Sequence, residues 1–277
     1  MPAEEHEECP REDRSRKDNR TPLPPERVIF YPTCLVDSYF PGVGEAAVHL
    51  IERTGTEVVV PAGLTCCAVP HFNNGYRTEA RKTLETQMDI LAGEDPIIVP
   101  SGSCGWMLHS VLPTLFPGDP WRRGRAERIS GRVYELSQYL VRFTGTGGEP
   151  RLPGCTVYHD SCHLLRGLGE REVPRRLLED ACERREEMAR ADRCCGFGGS
   201  FAVKYPDVSC AMLDEKIRSA EKAGADWIVA ADAGCMLQIG CGLARRGSGI
   251  KLLHLAQALA GPGAPGWPGG ATTGGAL

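Results

Sequence analysis

Two pairs of adjacent cysteines occur in this sequence, Cys66-Cys67 and Cys194-Cys195, and each pair belongs to a longer series. A series consists of one cysteine, 31 residues, the pair, 36 or 39 residues, and a last cysteine. The members are Cys34, Cys66, Cys67 and Cys104 in the first series, and Cys162, Cys194, Cys195 and Cys235 in the second. The two series are offset by 128 residues at the first cysteine and the pair and by 131 at the last. This regular offset predicts an internal duplication.

Cysteine thiolates bind soft metals, so each series could hold a metal centre. Structural zinc sites typically use two Cys-x-x-Cys segments, and neither series contains one. An iron–sulfur cluster has several irons and accepts ligands from a wider spread of directions, and Gly196 after the second pair would let the backbone pass close to it. The spacing therefore favours an iron–sulfur cluster, with structural zinc and plain core packing as the alternatives.

Alternating short strands and helices must position these cysteines. Apolar runs predict strands at 27–32, 56–61, 95–100, 155–160 and 225–232, and helical periodicity predicts helices at 43–55, 78–93, 170–182, 206–223 and 236–246. The repeat predicts a further strand just before Cys194, but the apolar pattern supports it only weakly, because ERREEMARADR is polar. The pattern predicts an α/β fold with two similar halves, each a small parallel sheet flanked by helices. The carboxyl ends of parallel strands lie at one edge, so four thiolates should meet at the rim of each sheet.

Composition limits the domain organisation and the partners. The predicted arrangement is a disordered segment at 1–26, a first cysteine-rich domain at 27–144, a linker at 145–154, a second cysteine-rich domain at 155–260 and a disordered tail at 261–277. A net charge of −4 argues against nucleic acid as a partner. We find no signal peptide and no apolar run long enough to enter a membrane, so we expect a cytoplasmic, reduced protein.

The cysteine segments resemble a known family. The pattern is similar to the cysteine-rich CCG domain, which usually occurs twice, as in heterodisulfide reductase and in the iron–sulfur subunit of glycolate oxidase. Six segments between 27 and 260 resemble the lactate-utilisation protein A family more closely: YPTCLVDSYFPGVGEAAVHLIERTG, TCCAVPHFNNGY, PSGSCGWM, HDSCHLLRGLG, RCCGFGGSFAVKYPDVS and ADAGCMLQIG.

The resemblance implies a redox subunit of an oxidoreductase complex that converts L-lactate to pyruvate, not a complete enzyme alone. Its partners would be a ferredoxin-like iron–sulfur protein and a third component. By motif, Cys34, Cys66, Cys67 and Cys104 would hold one iron–sulfur cluster, and Cys162, Cys194, Cys195 and Cys235 another, giving one or two [4Fe–4S] clusters per chain. Another 2-hydroxy-acid oxidase subunit, such as a glycolate oxidase, and a heterodisulfide reductase-like protein are the alternatives in the same class, and a zinc-binding interaction module is the alternative in another.

The sequence departs from the family at three positions. Ser101 and Asp232 stand where the family has a further cysteine, and we expect them to cap the helices that follow them rather than bind iron. Ala68 replaces a common glycine, so the first cluster could differ from the second or be absent. His159 and His163 flank Cys162, and we expect both to be hydrogen-bonded structural residues rather than to donate to a cluster. The remaining cysteines are expected not to be ligands: Cys9, Cys155, Cys182, Cys210 and Cys241.

Overall fold

The computed structural model describes residues 22–143 and 152–268, and each range forms one half of the molecule. The first half contains β1 (Arg27–Phe30), α1 (Cys34–Tyr39), α2 (Pro41–Glu52), β2 (Glu57–Val59), α3 (Val69–Asn73), α4 (Arg77–Ile90), β3 (Ile97–Val99), α5 (Gly102–Trp106), α6 (Pro120–Ser130), β4 (Val133–Glu135) and α7 (Leu136–Phe143). The second half contains β5 (Leu152–His159), α8 (Glu172–Glu179), β6 (Cys182–Glu186), α9 (Ser200–Lys204), α10 (Pro206–Lys222), β7 (Trp227–Ala230), α11 (Ala233–Arg246), β8 (Lys251–His254) and α12 (Leu255–Ala260).

The two halves have the same sheet topology. The strand orders are β2-β1-β3-β4 and β6-β5-β7-β8, and every pairing is parallel. The central strands are continuous apolar runs, as in Ile97–Val99, because helices cover both faces of each sheet. The predicted α/β fold with two similar halves is confirmed.

Two strands, β4 and β8, lie where the sequence pattern predicts none, and β6 forms in the polar segment before Cys194, where the pattern supports a strand only weakly. Strand β6 has a mostly exposed polar sequence and lies at the edge of its sheet, where only one side needs a partner strand. Strands β4 and β8 form the opposite edges and are only three and four residues long. Short or polar edge strands carry too little apolar pattern to be recognised from sequence.

The ends of β4 and β8 show that the duplication extends beyond the cysteines. The backbone N–H of Glu135 donates to Gln138 and its carboxylate accepts from the N–H of Ser137. At the equivalent place His254 N–H donates to the side chain of Gln257, and His254 Nδ1 accepts from the next helix. The segments ELSQ (135–138) and HLAQ (254–257) therefore make the same helix-capping contacts.

The halves share buried cores. One apolar cluster joins Val28, Ala46 and Leu140 of the first half to Leu177 and Ala256 of the second. Main-chain contact is direct as well, since Gly102 N donates to Ala231 O over 3.0 Å. The halves therefore pack as one body, with strand ends of both sheets meeting at the shared boundary.

Two predicted boundaries can be compared with the described residues. Strand β5 begins at Leu152, inside the predicted linker 145–154. The described residues do not include 1–21, 144–151 and 269–277. Residues 261–268 belong to the tail expected to be disordered, yet Gly266 O accepts from Gln257 and Trp267 packs on Trp227. Among the described helices none is long and apolar enough to cross a bilayer.

Candidate metal centre

The cysteines of both series lie just beyond the carboxyl ends of strands. Cys34 follows β1, Cys66-Cys67 follow β2, and Cys104 lies in α5 directly after β3. The second half repeats this arrangement with Cys162 after β5, Cys194-Cys195 after β6 and Cys235 after β7. Residues more than 30 positions apart in the chain are brought to one sheet edge, as the parallel topology predicts.

Within each series the sulfurs form a chain in which each sulfur lies beside the next. Cys67 Sγ lies 2.8 Å from Cys104 Sγ, and Cys66 is hydrogen-bonded to both Cys34 and Cys67. Cys194 is likewise hydrogen-bonded to Cys162 and Cys195, and Cys195 also to Cys235. All twelve cysteines of the described residues are free thiols. Each half therefore gathers four thiols into one group.

A left-handed residue follows each cysteine pair. Ala68 has φ 67° and Gly196 has φ 89°. In both turns the backbone N–H of this residue donates to the sulfur of the first cysteine of the pair, over 3.3 Å to Cys66 and over 3.3 Å to Cys194. The alanine at position 68 therefore adopts the same turn as the glycine, although left-handed backbone costs an alanine about 1–2 kcal/mol.

The thiols ionise unequally because they share protons. Donation from Cys34 and Cys67 lowers the pKa of the Cys66 thiol, and donation from Cys162 and Cys195 lowers the pKa of the Cys194 thiol. Hydrogen bonds to the neighbouring sulfurs, together with burial, raise the pKa of Cys67. Negative charges on neighbouring sulfurs repel each other, so a cation bound among them would favour the thiolate form.

All eight predicted site cysteines line a single cavity of ≈ 200 Å³ between the two halves. Its inner wall contains the buried Cys67, Cys104, Cys195 and Cys235, whereas Cys34 is exposed. The cavity wall also includes Leu35, Val69 and Phe197. Cys155, Cys182, Cys210 and Cys241 are absent from the described part of that wall, and Cys9 lies outside the described residues.

Ser101 and Asp232 connect the two groups. Ser101 Oγ donates to Asp232 Oδ2 over 3.1 Å, and the N–H of Ser103 donates to the same oxygen over 2.8 Å. Asp232 Oδ1 caps α11 by accepting from the N–H groups of Gly234 and Cys235. Asp232 is therefore a helix cap as expected, whereas the Ser101 hydroxyl does not cap α5 but bonds the other half.

Two histidines lie beside the second group. His163 Nδ1 is 3.8 Å from Cys162 Sγ, and its ring stacks on Trp106 of the first half with centroids 4.6 Å apart. His159 is fully buried, and neither ring nitrogen has a hydrogen-bond partner among the described residues. Burial, with a smaller effect of Lys216, lowers the pKa of His159 to about 3, so its ring is neutral. The expected structural hydrogen bond of His159 is not observed within the described part of the chain. No sequence signal indicates the stacking of His163 on Trp106.

The donor set fits an iron–sulfur cluster. Four sulfurs per group provide soft ligands, and the only carboxylate among the described residues of the cavity wall, Asp232, already accepts four hydrogen bonds. A lone zinc ion sits among its four ligands at about 2.3 Å and needs no space beside them. The shared cavity adjoining both groups instead suits the larger inorganic core of a cluster.

A second cavity of ≈ 230 Å³ opens against Cys194. This cavity is lined by Arg166, Arg190, Arg193 and Lys216. Glu215 is the one acidic residue in the part of its wall that the structure describes. Glu215 bonds Arg190 and Arg193 over 2.9 and 2.8 Å. The wall therefore has a net positive charge next to one cysteine of the second group.

A family model described as a cysteine-rich domain (CCG) matches residues 28–109 and 156–240. The chain is 41% identical over 237 residues to lactate utilization protein A of Geobacillus thermodenitrificans, covering 84% of this chain and 98% of that protein. It is 39% identical over 235 residues to lactate utilization protein A of Halalkalibacterium halodurans, covering 84% of this chain and 96% of that protein.

A solved structure shares the fold. The crystal structure of a hypothetical protein from Helicobacter pylori matches 88% of this chain with a TM-score of 0.59 and 13% sequence identity. This chain covers 50% of that protein. At so low an identity the match concerns the fold alone.

Proposed function

Since this chain belongs to the lactate utilization protein A family and contains the cysteine-rich CCG domain twice, we propose that it is the iron–sulfur electron-transfer subunit of a multi-protein system oxidising L-lactate to pyruvate. The observation that carries the proposal is the single cavity lined by all eight repeated cysteines. Such a cavity brings two redox centres close together inside one chain.

In this proposal each half holds one cluster through its four cysteines. The ligands of the first are Cys34, Cys66, Cys67 and Cys104, and those of the second are Cys162, Cys194, Cys195 and Cys235. When bound, an iron–sulfur cluster accepts and releases electrons one at a time.

The chain itself holds the sulfurs in place and limits access of water to them. Cys67 and Cys195 are buried, and the N–H groups of Ala68 and Gly196 are aimed at the sulfurs beside them. The exposed Cys34 marks an edge at which electrons could enter from a partner. Removing two electrons from an alcohol carbon is chemistry of an organic cofactor such as a flavin, and we assign it to a partner protein.

The positively charged cavity beside Cys194 supports a docking site for a second, acidic partner that takes electrons from this chain. Arg190 and Arg193 are 62% and 51% exposed, so a carboxylate-rich protein surface can reach them. Opposite charges raise the rate of encounter between redox partners. We propose that electrons pass from the second cluster, through this face, to an acidic partner that docks on it.

The first test is the metal and acid-labile sulfide content of anaerobically purified protein, with paramagnetic resonance of oxidised and reduced samples. We expect about four to eight irons with matching sulfide. Cys67→Ala and Cys195→Ala should each remove about half of the iron, whereas the matched control Cys241→Ala, an exposed cysteine outside the cavity, should remove none.

Zinc without sulfide would overturn the proposal and favour the interaction module. The substrate is tested separately by adding L-lactate, glycolate or a disulfide to the complex purified with its partners. Reduction of the clusters by L-lactate alone is the expected result. Reduction of the clusters by glycolate would instead indicate a glycolate oxidase subunit. Oxidation of reduced clusters by the disulfide would indicate a heterodisulfide reductase-like protein.

A further inference from the structure

His159 differs from its counterpart in the first half. An offset of 128 residues places it opposite Tyr31, and both residues lie at the end of the first strand of their half. The Tyr31 hydroxyl donates to Thr65 O over 2.6 Å and is satisfied. The imidazole of His159 is fully buried and has no such partner among the described residues.

An unpartnered buried imidazole is costly, because the ring loses its hydrogen bonds to water and gains none in exchange. This cost indicates that a group outside the polypeptide satisfies the ring. A ring nitrogen of His159 and the sulfurs of Cys195 and Cys235 all lie within 4.8 Å of one another. That spacing suits three ligands of one metal ion better than hydrogen bonds from the ring to the two sulfurs, neither of which is formed.

We propose that His159 is a nitrogen ligand of the metal centre in the second half, beside Cys195 and Cys235, and that the centre of the first half has no such ligand. The inference rests on the proposed function for the identity of the metal as iron. A neutral imidazole donates a lone pair and releases no proton on binding. The ligand sets of the two centres then differ, and because ligand identity sets a cluster's reduction potential, we expect two different midpoint potentials.

The test compares the anaerobically reconstituted full chain with three variants. His159→Tyr introduces the residue of the first half, His159→Cys keeps a ligand, and His163→Gln is the matched control because that imidazole also lies beside a site cysteine. Each protein is prepared with ¹⁵N-histidine and with unlabelled histidine. Pulsed paramagnetic resonance then measures the nitrogen coupling to the cluster, and a redox titration gives both midpoint potentials.

We expect a nitrogen coupling of the strength found for directly bonded imidazole, present in His163→Gln and absent from both His159 variants. His159→Cys should retain its iron and move one of the two midpoint potentials to a more negative value, because a thiolate adds negative charge. Coupling too weak for a direct bond, or strong coupling that persists in His159→Tyr, would refute ligation by His159.

Loading the apoprotein with cobalt(II) distinguishes failure of the proposed redox function from failure of the His159 ligand assignment. If wild-type protein holds no iron or sulfide, the redox function fails while the ligand assignment is still decided by the cobalt spectra. A sulfur-to-cobalt absorption band that changes in His159→Tyr but not in His163→Gln supports the assignment. Identical cobalt spectra in all variants would exclude it. Circular dichroism of each apoprotein verifies the fold.

Discussion

The turn after each cysteine pair provides a prediction with an internal control. In Gly196→Ala the new Cβ would lie 2.6 Å from the carbonyl oxygen of Ser209, at a residue with φ 89°. Left-handed backbone costs an alanine about 1–2 kcal/mol, and overpacking against backbone typically adds about 1–3 kcal/mol. A gain of about 0.4–1 kcal/mol from the less flexible unfolded chain offsets part of this. We expect Gly196→Ala to lower the free energy of unfolding by about 3 kcal/mol.

The reverse substitution at the equivalent position should have a small effect. Ala68→Gly relieves about 1–2 kcal/mol of left-handed strain. It also loses a buried methyl group worth about 0.8 kcal/mol and makes the unfolded chain more flexible by about 0.4–1 kcal/mol. The net change should lie within about 1 kcal/mol of zero.

Urea unfolding of the reduced apoprotein, followed by circular dichroism, measures both changes, and iron per chain after reconstitution reports the consequence for the site. Gly196→Ala should lose iron from the second centre only. Equal destabilisation by the two substitutions, or a cost below about 1 kcal/mol for Gly196→Ala, would refute the assignment of a strained, closely packed turn.

Three further predictions follow from buried charges and from the basic cavity. Asp232→Ala leaves two buried N–H groups and one partly buried N–H group without an acceptor and should cost about 3 kcal/mol in urea unfolding, whereas Asp232→Asn should cost clearly less. Burial lowers the pKa of His254 to about 4 and raises the pKa of Glu135 to about 7. Stability should therefore fall as pH drops from about 6.5 to 4 through His254, and as pH rises from about 4.5 to 7 through Glu135. In His254→Gln the first of these pH dependences should disappear from the free energy of unfolding, and in Glu135→Gln the second should disappear. A variant whose pH profile of unfolding is unchanged would contradict the corresponding prediction. Arg190→Glu with Arg193→Glu should slow electron transfer to the partner about tenfold at low salt and little at high salt, and a salt-independent loss would argue against docking by charge.

The cysteine spacing and the strand–helix alternation are enough to predict the duplication, the two parallel sheets and the sheet edge at which each series meets. The shared cavity is beyond such prediction, because it depends on the packing of Val28, Ala46 and Leu140 against the other half, and apolar pattern does not specify a partner surface. The ELSQ and HLAQ repeat escapes detection because only Leu and Gln are common to the two segments. Strand β6 is only weakly predicted, since an exposed edge tolerates polar residues.

Individual site residues are predictable to different degrees. The capping role of Asp232 follows from its type and its place before a helix, and the structure confirms it. Ser101 has the same signal, but its hydroxyl bonds across the boundary between the halves, a contact that only the tertiary fold creates. The lack of a hydrogen-bond partner for His159 among the described residues depends equally on what surrounds it in space. Local sequence thus predicts caps and strand ends, whereas contacts between the halves require the assembled molecule.

Ser101 and Asp232 occupy equivalent positions in the repeat and contact each other, as two residues beside an approximate two-fold axis between the halves would do. In a symmetric homodimer of single halves, a residue on that axis would meet its own copy and would have to be self-complementary. Two aspartates there would repel, and two serines would leave fewer acceptors for the surrounding N–H groups. Joining both halves in one chain removes this restriction. The protein can place a donor on one side of the axis and an acceptor on the other. The same freedom allows His159 to stand in one half where Tyr31 stands in the other.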